Sequence, residues 1–450
     1  MKNAKQILAN DLENMVSVLQ KVISFRSEKG EAAQGAPFGT EIKSCLDYVL
    51  NKATEFGFVS TNVDGYAGQV DFPGTGDEVL GILGHLDVVP AIDSEWKYPP
   101  YAGVVSDGKL WGRGTTDDKG PMIACLFAAK ALHDAGFKPS KTVRFIFGCD
   151  EESGMECVEH YFQKMPYPTL SFSPDGDFPV INREKGIYQF DVVCGKLPNG
   201  VSISAGTRAN VVPSACVATA DMDVLDVISK TRADELGVSV KIVDERVQLS
   251  AVGKAAHGST PDEGINAAHP VLKLLAEAYP QNATLNFVAN KIIGTDGANW
   301  GICLCDEASG KLTCNLGVLS TSDDGVLTAT VDIRFPVSYN CNFMHDLLVK
   351  NTPAEFEVVP GHVSEPLFVP SDSDLVTSLM DVYNTATGLH AEPIAIGGGT
   401  YSRCLPNCVA FGPEFPGAEQ TIHMPNEYID LENLKLMSQI YLDAIYALAK

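Results

Sequence analysis

Residues 79–90 read VLGILGHLDVVP, an unbroken apolar run that ends in a histidine and an aspartate, and residues 121–136 read PMIACLFAAKALHDAG. The second stretch has a helical pattern with proline in its first turn and Gly136 just past its end, the usual asymmetry of helix termini. A further apolar run, VRFIF, occupies 143–147. Run, helix and run make a βαβ unit, and such units build parallel sheets covered by helices.

Outward from that unit, helices are expected at about 3–25, 38–56 and 153–164, with a strand at 170–172. The period then changes. Residues 187–193, 215–220, 238–252 and 326–335 alternate like half-exposed antiparallel strands, with helices at about 222–236, 265–278 and 341–350. The earlier style returns with a helix at 372–386, the loop IGGGTYSR, a strand at 408–412 and a helix at 431–448 for which Asp430 is the expected N-cap. The fold class expected is α/β: a mostly parallel sheet with helices on both faces, formed by residues 1–186 and 369–450, interrupted by an α+β insert at 187–368.

Composition narrows the function. Thirty-three Lys and Arg against 57 Asp and Glu give a net charge of −24, a field that repels phosphate backbones and anionic lipid, so neither nucleic acid nor membrane is an expected partner. The first 25 residues place acids inside their apolar pattern and offer no small-residue cleavage site, and no apolar run reaches the roughly 18 residues of a spanning helix. A cytoplasmic location is expected. The twelve cysteines then read as reduced thiols, and the Cys303/Cys305 and Cys404/Cys408 spacings do not match a zinc-binding Cys-x-x-Cys.

Five motifs carry chemistry. GHLDVVP sets His85 and Asp87 at the carboxyl end of a buried strand, where open α/β sheets assemble their sites. Alone, this is either a metal ligand or a histidine whose tautomer a carboxylate fixes. WGRGTTDDKGP offers Asp117 and Asp118 in a glycine-rich turn before the helix. FIFGCDEESG runs a strand into Asp150, Glu151 and Glu152, and acids crowded at such a place repel one another unless a cation compensates them. LSFSPDGDFP adds Asp175, and IHMPNEY adds His423 before the last helix. Two imidazoles and several carboxylates, all at element ends, suit zinc or a similar ion and a two-metal arrangement.

These motifs, in this order, resemble the metallopeptidase family that contains aminoacylases, succinyl-diaminopimelate desuccinylase and PepV-type dipeptidases. DDKGP, GGGTY and IHMPNEYI are most similar to the PepV branch. The resemblance implies two divalent ions, zinc foremost with manganese or cobalt as substitutes. Asp117 would bridge them, His85 and Asp175 would complete one site, and Glu152 and His423 the other. Glu151 would be the general base and acid, with Asp87 behind His85; Asp118 receives no ligand role.

The discontinuous domain would then be catalytic and the insert a lid. In GTRANVVP, GKAAHGSTP and DIRFPV, the resemblance implies that Asn210 holds substrate, His257 donates to the oxyanion and Arg334 pairs with a substrate carboxylate. From the residues alone, His257 and Asn210 could be loop residues and Arg334 a strand-end surface cation, with the functional reading favoured for His257. Gly397–Arg403 lacks the Gly-Lys-Ser/Thr ending of a phosphate loop. Gly398, Gly399 and Thr400 are instead candidates for close approach to a small substrate. The expected activity is hydrolysis of free dipeptides by a monomer, the alternative being an N-acyl-amino-acid amidase or desuccinylase on the same metal core.

Overall fold

In a computed structural model that describes residues 1–450, Val79–His85 forms a strand buried along almost its whole length. It pairs in parallel with Thr142–Gly148 on one side and Leu170–Ser173 on the other, and Cys408–Ala410 extends the parallel set beside Leu170–Ser173. Strands buried on both faces need continuous apolar runs, which explains why 79–86 and 143–147 show no alternation. At the opposite edge the hairpin Val59–Val63/Ala67–Phe72 runs antiparallel, with Ala67–Phe72 against Thr142–Gly148. Its turn holds Asp64 and Gly65 at φ 55° and 76°. Asp-Gly is a strong hairpin signal, and it marks this turn.

The helix expected at 121–135 spans Lys119–Asp134 and is buried on every side as far as Ala129. The strand Val79–His85, the helix Leu431–Ala449 and the N-terminal helices Lys2–Asn10 and Leu12–Ile23 all pack against it. A helix apolar all round needs such cover. The single helix expected at 3–25 is broken at Asp11, whose carboxylate accepts from Asn14 Nδ2 and pairs with Lys130. Asp430 does precede the last helix, but its side chain makes no capping bond.

The chain divides into two compact units, one formed by Met1–Asn182, Val369–Ile394 and Gly399–Lys450, the other by Arg183–Phe368 with Ala395–Gly398. The second unit therefore starts before residue 187 and takes in part of the glycine loop. The Lys185 amide donates to the Ile396 carbonyl and Arg334 Nη1 to that of Gly397, which ties the loop to this unit.

This unit is an eight-stranded antiparallel sheet covered by helices that include Ala268–Ala278, Ala283–Lys291 and Cys341–Asn351. The run expected at 238–252 is a hairpin, Ser239–Val243/Arg246–Val252, turning at Asp244 and Glu245. The helix expected at 222–236 is a 3-10 turn, Met222–Asp226, followed by the short helix Lys230–Glu235. No helix of the chain is long and apolar enough to cross a membrane. Most of the cysteines are buried, while Cys303 and Cys305 are exposed.

Candidate metal centre

His85 is the last residue of its strand and fully buried. Its Nε2 lies 2.9 Å from Asp117 Oδ1, and its Nδ1 lies 3.0 Å from the Asp87 carbonyl and 3.5 Å from Asp87 Oδ1. The Asp87 carboxylate also accepts from the backbone amides of Glu151 at 3.2 Å and Glu152 at 3.0 Å. One buried acid thus holds an imidazole and the acidic turn in register. Asp117 Oδ2 is 2.8 Å from His423 Nε2, which stands 3.2 Å from Glu152 Oε1.

Two groups of potential ligands result: His85, Asp117 and Asp175, and Asp117, Glu152 and His423. Within each, one ligand atom per residue lies within 4.8 Å of the others, and Asp117 belongs to both.

The electrostatics fit a cation. Burial, then the charge of Asp117, pushes the Asp175 carboxyl up to about 7. Glu151 is raised well above the usual carboxylate range by burial and then by Asp175, with smaller contributions from Asp117 and Glu152. His423 is raised to about 10 by its hydrogen bonds to Asp117 and Glu152. For His85, burial favours the neutral ring, but Asp117 and Asp87 outweigh it and the pKa rises. Acids this short of positive charge, presenting only nitrogen and oxygen donors, are what a divalent ion needs.

Besides Asp87 and Glu151, the neighbouring acids Asp150 and Asp118 are in neither group. Asp150 was grouped by sequence with Glu151 and Glu152, yet its carboxylate pairs with Lys29 at 2.7 Å and accepts the Glu156 amide. Asp118 is buried, and its Oδ2 accepts the His85 backbone amide at 3.1 Å. A Cβ on Gly84 would collide with Asp118 and Met122, so only glycine admits this approach. Tyr401, which the sequence reading did not select, is buried with its ring edge-on to His85 and its hydroxyl 3.1 Å from Cys157 Sγ.

In the second unit, His257 is exposed, and its Nδ1 receives the Ser259 amide at 3.2 Å with Ser259 Oγ at 2.7 Å. An Nδ1 that accepts places the proton of the neutral ring on Nε2. Partial desolvation of the ring by its neighbours, and then the charge of Arg334, lower the pKa of this imidazole, which favours that neutral form. The Asn210 carbonyl accepts the Gly258 amide at 2.8 Å, and Val211 bridges His257, so the two loops lie side by side. Arg334 is not a surface cation: it is 4% exposed, and its Nε and Nη2 grip both oxygens of Asp332 at 2.7 and 2.9 Å. Gly398 belongs to this unit and Gly399 and Thr400 to the first, where Thr400 accepts the Ser402 amide and caps a 3-10 turn.

Residues 81–447 match the model for Peptidase family M20/M25/M40. The chain belongs to this family. Over 456 residues it is 36% identical to the Bacillus subtilis protein named "Putative dipeptidase YtjP", covering 97% of this chain and 98% of that protein. A Staphylococcus aureus relative of similar description is 34% identical over 460 residues, covering 98% and 97%. Among solved structures, the Saccharomyces cerevisiae di-peptidase Dug1p superposes with a TM-score of 0.59 at 13% identity over 99% of this chain and 98% of that one. Human carnosine dipeptidase 1 gives 0.57 at 16% identity over 100% and 98%. These structural likenesses are likenesses of fold. As an M20 member the chain is a metallopeptidase, and the acid and histidine cluster is its candidate divalent-metal site.

Proposed function

We propose that the protein is a cytoplasmic dipeptidase that holds two divalent ions, zinc by preference, and cleaves the peptide bond of free dipeptides. The observation that carries this reading is the pair of ligand groups sharing Asp117, with Glu151 directly beside one of them. The dipeptidase names of relatives matched over nearly the whole chain support the substrate class. His and carboxylate donors favour zinc, and carboxylate-rich sites also admit manganese or cobalt.

Divalent ions held by His85, Asp117, Asp175, Glu152 and His423 would supply a lowered pKa for the attacking water and polarisation of the scissile carbonyl. The Glu151 carboxylate takes the proton from the attacking water and returns it to the leaving amine. Asp87 keeps the His85 ring and the 150–152 turn in place through the bonds described above. By family resemblance, His257 donates its Nε2 proton to the developing oxyanion, Asn210 holds the substrate and Arg334 takes its terminal carboxylate, with the amides of Gly398 and Gly399 and the Thr400 turn assisting. Asp332 occupies the Nε–Nη2 edge of Arg334 and the Gly397 carbonyl accepts from Nη1, so a substrate carboxylate would meet the Nη1–Nη2 edge beside the glycine loop.

A free α-ammonium group is attracted to the acids, and Arg334 reads the other end, so both termini are selected by charge. One matched kinetic series tests this: a free dipeptide, its N-acetyl derivative and the corresponding tripeptide. The free dipeptide is expected to react far faster than either. Preference for the N-acetyl compound would instead make the protein an amidase, and equal rates on all three would end the two-terminus model.

The eight strands of the insert come from one chain, which favours a monomer that supplies its own His257. Mixing the inactive variants Glu151→Gln and His257→Ala is expected to restore no activity. Recovery on mixing would reveal a site shared between subunits.

A further inference from the structure

Glu427 is completely buried and lies four residues beyond His423. Its carboxylate accepts from the amides of Gly114 at 3.0 Å, Thr116 at 2.9 Å and Asp117 at 3.3 Å, and pairs with Arg113 Nη1 at 2.7 Å. All these donors belong to the 112–118 turn that delivers Asp117. The same two segments are joined again by the Gly112 amide on the Glu427 carbonyl, by Thr116 Oγ1 on the Tyr428 carbonyl, and by antiparallel pairing of Tyr428–Asp430 with Lys109–Trp111.

Amides that converge within a tight turn form a concave cradle for an anion, and here a side chain fills it. Gly114, at φ +87°, supplies the left-handed backbone that a cradle of this kind requires.

We propose that Glu427 is a positioning residue that clamps the turn carrying Asp117 to the segment carrying His423, and so sets the spacing of two metal ligands far apart in sequence. The inference rests on the two-ion reading of the centre given above. Glutamine at 427 would keep the size but turn an N–H₂ group toward amide donors, so the cradle would open. Loss of a group that orients ligands typically weakens metal affinity by about 10–100-fold.

The test is Mn²⁺ titration of the metal-free full chain by calorimetry, run on wild type, Glu427→Gln, Thr116→Val and Leu46→Ala. Glu427→Gln is expected to bind about 10–100-fold more weakly. Its kcat should fall at sub-saturating metal and recover as Mn²⁺ is raised, with little change in KM. Thr116→Val, which removes one link between the segments, should weaken binding in the same direction by a smaller factor, and it serves as the deciding variant should Glu427→Gln fail to fold. Leu46→Ala opens a hole in the buried face of the helix Thr40–Glu55 and should lower Tm while leaving Mn²⁺ affinity unchanged.

Wild-type affinity in folded Glu427→Gln overturns the proposal, as does unchanged affinity in Thr116→Val where the first variant does not fold. Equal weakening in Leu46→Ala also overturns it, since the effect would then be general destabilisation. Failure of the wild type itself to take up Mn²⁺ would instead remove the metal-centre reading on which the proposal stands.

Discussion

Replacing Glu151 by glutamine is expected to leave metal and substrate binding in place while lowering kcat by on the order of 10²–10⁴, the usual worth of a positioned acid and base. The substitution keeps the shape of the side chain and the backbone amide that donates to Asp87. It removes only the capacity to accept a proton. Glu152→Gln should behave differently, because Glu152 Oε1 lies 3.2 Å from His423 Nε2 within a ligand group. An amide there is a poor metal donor, so metal retention should fall first and kcat with it. Elemental analysis after dialysis, beside steady-state kinetics, separates the two cases. Loss of metal from both variants to the same degree would mean that base and ligand have been wrongly divided between these neighbours.

The parts of the fold that were readable in the sequence share one property: their pattern is local. The apolar runs at 79–86 and 143–147 and the helix between them announce a parallel sheet, and the acids at their carboxyl ends stand out because charge is expensive beside buried strands. The insert was legible as a change of period, but its edges were not, because the bond from Lys185 to Ile396 spans the whole insert and that from Arg334 to Gly397 joins segments 63 positions apart.

The same distance hid the partner of Asp150. Adjacency placed it with Glu151 and Glu152, and only the fold brings Lys29 to neutralise it. Glu427 was invisible for the same reason, its donors lying more than 300 positions earlier in the chain. Two other features carry local signals. Asp332 and Arg334 are two apart on a strand and therefore share a face, which makes their pairing a local expectation. The Asp64–Gly65 dipeptide is likewise a local hairpin signal.

Removing the metal is expected to abolish activity, and the way in which single ligand variants reproduce that loss tests the bridging role assigned to Asp117. Its two oxygens face different imidazoles, Oδ1 toward His85 and Oδ2 toward His423. If each ion uses one of them, Asp117→Ala deprives both sites of a ligand at once, whereas Asp175→Asn and Glu152→Gln each injure one. Wild type should hold two ions after dialysis and Asp117→Ala close to none, with the two other variants retaining one ion more firmly than the second. Metal polarisation of a reacting carbonyl supplies several kcal/mol, so chelated wild type and Asp117→Ala should both fall by on the order of 10³ or more in rate. Added zinc, manganese or cobalt should restore the chelated wild type and not the variant. Because an ion that binds only the folded chain raises its stability by mass action, metal should also raise the Tm of wild type and leave that of Asp117→Ala nearly unchanged. Full activity in protein shown to be metal-free would end the metal reading. Retention of one tightly held ion by Asp117→Ala would show that one ligand group stands without Asp117, and that the acid is a terminal ligand of the other rather than a bridge.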